Sequence, residues 1–270
     1  MRRSVDDPAA CAQVADWLVS AFQAAGWRTV RQPYRVGGAG YANVLASVAE
    51  EGAHPLFVLA AHYDTVPSTP GADDNASGVA VLLEVARRLA PLRPSHLLLA
   101  ACCTEEVQGT DGKGSFALAR ALRARGRRVT GMLSLEMVGY FDDRQGTQHF
   151  PVPGLGLVYP RRGNFLAVVS DLGALAFSAR TAWALRRAGG VPVRTFCGPA
   201  AMPGIHWSDH ASFRRLGIPA AMLTDTAFHR NPHYHLESDL PETLDTARMA
   251  ETARMLATAV RSRLAPPPRT

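Results

Sequence analysis

The chain has 270 residues, 47% of them hydrophobic, enough to bury one sizeable α/β core without a second domain. Its formal net charge of +6 sets 29 basic residues against 23 acidic ones, and because Lys113 is the only lysine the surplus is arginine. Those arginines are scattered or lie on predicted helix faces with no interleaved aromatics, which argues against a nucleic-acid partner, and no apolar stretch reaches a membrane span.

The opening segment MRRSVDDPAA has two arginines but no apolar run behind them, so a cytoplasmic location is expected. Cys11, Cys102, Cys103 and Cys197 show no CxxC spacing and read as core thiols rather than metal ligands.

Asp7 to Ala25 carries apolar residues at helical spacing, opens on Asp7 and Pro8 and closes at Gly26. Strands are predicted over Arg28 to Val36 and Asn43 to Val48, separated by a glycine-rich turn, and then over Leu56 to His62. Helix Ser77 to Leu89, strand His96 to Cys102, helix Gly114 to Arg125 and strand Val129 to Val138 follow. This alternation implies an α/β domain with a central sheet, largely parallel in its middle, and helices on both faces. Phe141 to Asn164 is rich in Gly, Pro and charge and reads as a long loop. Beyond it come strand Phe165 to Ser170, helix Leu172 to Ala188, strands Pro192 to Phe196 and Pro219 to Thr224, and a closing helix over Pro241 to Leu264. Residues 1–264 are read as one catalytic domain and the Pro-rich 265–270 as a frayed tail.

Five residues of metal-ligand type fall at or just after these strands: His62, Asp74, Glu106, Glu136 and His235. His62 and Asp64 end the apolar run LFVLAAHYD two residues apart, where strand side chains return to one face. Glu105 and Glu106 follow HLLLAACCT, and Glu136 lies between Leu135 and Met137. Each alone reads as a strand end, a surface acid or an N-cap. Together they suit a pair of divalent ions, because buried carboxylates are costly unless a cation or donor meets them.

The segments HYDTV, GADDNASGVA, TEE, LEMVGY, SDHASF and NPHYHLESDLPETLD, in this order, resemble the bacterial dizinc aminopeptidase family, whose relatives include glutaminyl cyclases. The resemblance runs from the first helix to the last. It implies a three-layer α/β/α domain around a mixed, mostly parallel sheet of about eight strands. It further implies two zinc ions, with His62 and Glu136 on one, Glu106 and His235 on the other, and Asp74 bridging them through a carboxylate that precedes a cis peptide. Glu105 would be the general base, and the substrate a peptide or aminoacyl compound with a free N-terminus. Glu136 stands where many dizinc members carry aspartate, and Leu236 where threonine is common.

In chemical terms, Glu105 would take the proton of an attacking water and return it to the leaving amine. Asp64 would accept the second ring N–H of His62, and Tyr234 would donate to a developing oxyanion. Ser208, Asp209 and His210 read equally as pocket residues or as the start of a short helix before Gly217, while His206, His229 and His233 read as loop or surface histidines. Two other functional classes stand beside the aminopeptidase: a single-zinc glutaminyl cyclase and a non-catalytic binding module of the same fold.

Overall fold

A computed structural model describes residues 3–48, 55–107, 109 and 111–264; the predicted tail at 265–270 lies outside them. Helix α1, Pro8–Ala24, begins where the Asp7 carboxylate accepts the Ala10 N–H at 2.9 Å, and the chain turns at Gly26 with φ +89°. The hairpin β1, Arg28–Val36, and β2, Ala39–Ser47, pairs antiparallel, so β2 starts earlier than its hydrophobicity suggested. Next come β3 (Leu56–His62), α2 (Gly78–Leu89), β4 (Leu97–Cys102), α3 (Gly114–Ala124) and β5 (Val129–Glu136). The predicted loop contains a small ribbon of β6 (Asp142–Gln145) and β7 (Arg162–Gly163). After it lie β8 (Leu166–Asp171), α4 (Leu175–Ala188), β9 (Val193–Gly198), α5 (His210–Arg215), β10 (Ala220–Thr224) and α6 (Thr246–Leu264).

The main sheet has eight strands in the order β1-β2-β4-β3-β5-β10-β8-β9. The central run from β4 to β10 is parallel, and antiparallel pairs flank it. Every residue of β3 and β4 is buried, because helices cover both faces of these strands; that is why they read as unbroken apolar runs. Alternation then divides the core. Phe57, Leu59 and Ala61 face the cluster shared with α1, α2, α4 and α6, whereas Leu56, Val58 and Ala60 face Leu118 and Leu122 of α3 and Phe213 of α5. Fully buried side chains such as Leu18, Phe22 and Leu59 each contribute about 1.5–3 kcal/mol relative to exposure.

The closing helix differs from its expectation. Pro241–Thr243 forms a separate 3-10 turn, and Leu244 is extended with ψ 142°. Asp245 then opens α6 by accepting the Arg248 N–H at 2.9 Å. A side-chain acceptor at Asp245 thus competes successfully with continuation of the helix.

The topology decides where polar groups gather. From β3 the chain steps to β4 on one side and then crosses back to β5 on the other, so the order reverses at β3. Groups at the carboxyl ends of these three strands border the crevice that such a switch point creates. Among the described residues, no helix is long and apolar enough to cross a membrane.

Candidate metal centre

His62 and Glu136 arrive on one face of the sheet by register. Ala61 lies opposite Leu135 in the β3–β5 pair, so His62 and Glu136 follow as the next row, on the side covered by α3 and α5. His62 Nε2 is 3.5 Å from Glu136 Oε1 and 3.3 Å from Asp74 Oδ1. Asp74 comes from the irregular turn Ala72–Ser77 between β3 and α2, and its bond to Asn75 is cis. Its other oxygen, Oδ2, is 2.9 Å from His235 Nε2, and that ring lies 3.6 Å from Glu106 Oε1. All five predicted ligand residues therefore meet. His62, Asp74 and Glu106 form the most compact group, with one ligand atom from each within 4.8 Å of the others.

Orphaned atoms mark the same spot. Asp74 Oδ1 is 3.3 Å from His62 Nε2, yet it lacks a hydrogen bond, as do Glu136 Oε2 and His235 Nε2; all three are buried. Buried polar atoms ordinarily find partners, so this donor set of two imidazoles and three carboxylates fits divalent cations. Electrostatics agree. Burial and the neighbouring Asp74 push Glu106 up to about 7, and burial, offset in part by His62, pushes Glu136 up to about 8. Burial would depress His235, but the close Asp74 and Glu106 carboxylates raise it to about 10. His62 is likewise driven well above its ordinary value, the carboxylates around it outweighing its burial. Like charges crowd here, and protons take the place that cations would fill.

Asp64 organises the two glutamates. Its Oδ1 accepts the Glu105 N–H and its Oδ2 the Glu106 N–H, each at 3.1 Å. Asp64 also meets the His62 ring, whose Nδ1 is 3.6 Å from the Asp64 Oδ1 and 3.2 Å from the Asp64 main-chain oxygen.

Tyr234 stacks on His235 with ring centroids 3.7 Å apart. Burial, then the Asp74 and Glu106 carboxylates, keep its phenol protonated far above neutrality, so it can serve as a donor. Beside it opens an apolar cavity of about 120 Å³, lined by Phe150, Tyr159, Phe196, Ile205, Trp207 and Met222 among others. Its floor includes a row across four strands, Glu136, Thr224, Ala167 and Arg194, successive residues of which are register partners.

The remaining predicted residues divide. His206 Nε2 is 3.0 Å from Asp171, which also receives Arg214, and His210 Nε2 is 2.7 Å from the Ile205 carbonyl; both serve the loop before α5. His229 lines the cavity, and His233 Nδ1 bonds Ser238 at 2.9 Å. Asp209 stands at the N-cap position of α5 but makes no side-chain cap hydrogen bond there. Ser208 bonds Ser134 at 2.9 Å, while both Asp209 oxygens are buried without a hydrogen-bond partner and burial pushes that carboxyl up to about 6.

Four contributors were not anticipated. Asp239 accepts the N–H groups of Asp73 and Asp74; Asn231 bonds Asp73 at 2.7 Å. Asn75 bonds the Leu135 carbonyl at 2.8 Å and the Met137 N–H at 3.1 Å, tying the turn to the end of β5. Lys113 forms an ion pair with Glu105. The motif SDLPETLD contained the only signal for Asp239, an acid within a matched segment.

Known proteins resemble this chain in sequence and in fold. The chain is 37% identical over 260 residues to YfbL of Escherichia coli (strain K12), an uncharacterized protein, covering 92% of this chain and 79% of that one. It is 30% identical over 220 residues to a probable leucine aminopeptidase of Arthroderma otae, covering 76% of this chain but 52% of that protein, so it spans about half the length of such relatives. Among solved structures, the aminopeptidase LapA of Legionella pneumophila superposes with a TM-score of 0.74 at 23% identity, over 97% of this chain and 67% of that one. Glutaminyl cyclase of Porphyromonas gingivalis gives 0.69 at 20% identity over 94% and 91%. These two likenesses establish the eight-stranded α/β fold. The profile of peptidase family M28 matches residues 43–260, a span that contains all five ligand-type residues and Glu105, and the chain therefore belongs to that family.

Proposed function

We propose that this protein is a metal-dependent aminopeptidase that hydrolyses the bond after the N-terminal residue of a peptide, with Glu105 as general base. The carrying observation is the placement of Asp74, which turns one oxygen toward His62 at 3.3 Å and the other toward His235 at 2.9 Å. His62 and Glu136 would hold one zinc ion, Glu106 and His235 a second, and Asp74 would be shared. Ligand atoms roughly 2.0–2.1 Å from one tetrahedral ion lie roughly 3.3–3.4 Å apart. The His62–Glu136 and His235–Glu106 separations of 3.5 and 3.6 Å are close to that spacing. Bound there, the ions would supply Lewis-acid charge stabilisation and lower the pKa of the attacking water.

The chain's own groups then act in sequence. The apolar cavity takes the N-terminal side chain and excludes water around it, and the acidic cluster suits a free N-terminal amine. Glu105 accepts the proton of the attacking water and returns it to the departing amine. Tyr234 donates to the oxygen on which negative charge develops.

A metal-reconstituted screen over aminoacyl amides and short peptides, with metal content measured in parallel, tests this reading. Release of N-terminal amino acids with two metals per chain supports it. The compactness of His62, Asp74 and Glu106 favours one alternative, a single-ion site performing glutaminyl cyclisation. One metal per chain with pyroglutamate formation would select that alternative, and neither activity nor metal would indicate a binding module.

A further inference from the structure

Lys113 stands out in a chain whose other 28 basic residues are all arginine. Its side chain is 15% exposed and its ammonium contacts two oxygens of one residue, the Glu105 main-chain carbonyl and Oε1. One compact point charge can bridge two closely spaced acceptors on the same residue. A guanidinium is a wider planar fork that matches carboxylates edge-on, so arginine is a poor substitute in this position.

The backbone around Lys113 is built to deliver that contact. Gly114 donates its N–H to Cys103 O at 2.9 Å, and the Thr104 hydroxyl bonds the Gly112 carbonyl at 2.7 Å. Asn43 of β2 joins the two segments, accepting the Cys103 N–H at 3.2 Å and donating to Gly114 O at 2.8 Å. A Cβ on Gly114 would run into Asn43, Cys103 and the Tyr34 hydroxyl, so the start of α3 comes this close to the end of β4 only with glycine there. Thr104, with φ +59°, turns the chain between β4 and Glu105. Glu105 is thus gripped at its N–H by Asp64 and at both its carbonyl and its carboxylate by Lys113.

We propose that Lys113 is a positioning residue for Glu105, fixing the carboxylate so that its second oxygen faces the reacting water. The proposal rests on the aminopeptidase reading for its catalytic consequence, but the pairing itself does not. Lys113 also answers a charge problem. Burial would lower the ammonium's pKa, but Glu105, and after it the charges of Asp209 and Glu106, hold it above its ordinary value.

The experiment uses the fact that Lys113 is the sole lysine. Reductive methylation with ¹³C-formaldehyde leaves the charge intact and places a side-chain label only there, beside the N-terminal amine. In zinc-loaded protein the Lys113 methyl resonance should shift on Glu105→Gln, and an unmoved resonance would overturn the pairing whether or not any peptide is cleaved. Kinetics test the consequence. Lys113→Met should lower kcat roughly 10- to 100-fold while KM and metal content stay near wild type, since a misplaced base costs rate more than binding. Lys113→Arg should recover part of the loss. A kcat unchanged in Lys113→Met would overturn the positioning role, as would a lowered Tm and metal content with no selective loss of kcat. Absence of peptidase activity in the wild type would instead refute the proposed function and leave the resonance shift to decide the pairing.

Discussion

Asp239 holds Asp74 by its backbone: Oδ2 accepts the Asp74 N–H at 3.1 Å while Oδ1 accepts the Asp73 N–H at 2.8 Å. A carboxylate from the loop before α6 therefore orients the residue proposed to bridge two ions. Asp239→Ala should weaken zinc binding roughly 10- to 100-fold, the usual effect of removing a group that orients a ligand. Calorimetric titration of zinc into the metal-free variant checks this, and wild-type affinity would mean that the turn holds itself. Asp239→Asn keeps one acceptor and should fall between the two.

Glu105→Gln removes the proton acceptor but preserves shape. Turnover should fall by about 10² to 10⁴, with metal content and melting temperature close to wild type. If more than about a tenth of the activity survives, the base lies elsewhere.

The pH dependence of the metal-free protein has a definite sign. Folded-state values of about 7 for Glu106 and about 8 for Glu136 exceed their ordinary value of 4.5, so both bind protons more tightly folded than unfolded. Their contribution is fully present below the unfolded value and is lost as pH rises through the folded ones. His235, raised from 6.5 to about 10, adds a loss of the same sign at higher pH. The melting temperature without metal should therefore drop between pH 5 and 8. Saturating zinc should raise it and reverse the trend, because protons compete with the cation. Superimposable melts with and without chelator would rule out a metal site at these residues.

Ala167 lies on the cavity floor, opposite Thr224 on one side and Arg194 on the other. Ala167→Leu should narrow the cavity and lower kcat/KM for leucyl and phenylalanyl amides far more than for alanyl amide. Each methylene no longer buried removes about 0.8 kcal/mol of binding. The thermal cost should stay near 1–3 kcal/mol, typical of overfilling a packed site, roughly. Equal losses on all three substrates would separate this cavity from recognition of the N-terminal side chain.

His62 and Glu136 were legible in the sequence because each interrupts the end of an apolar strand, where a polar side chain is conspicuous. The strands themselves were legible for the same reason, since burial on both faces leaves continuous apolar runs such as Leu56 to Ala61. Asp74, Glu105, Glu106 and His235 lie in turns, where an acid or a histidine ordinarily means solvent; only the order of whole motifs distinguished them. Local pattern also overran one boundary: Pro241 to Leu264 has helical composition, and the interruption at Leu244 depends on the Asp245 side chain.

What tertiary structure alone decided is which polar groups lose water together. Asp239 and Asn231 converge on the Asp73–Asp74 turn from about 160 residues away in sequence, at separations of 166, 165 and 158 positions. Lys113, flanked by Gly112 and Gly114, is enclosed because α3 docks its first residues against the end of β4. The apolar cavity draws its floor from four strands and its rim from loops at 148–159 and 203–207. Hydrophobic periodicity reports which face of an element is buried, so it identified the sheet and its helices. It carries no information on partners brought together by sheet order and loop closure, and those contacts set the protonation, orientation and enclosure of the site.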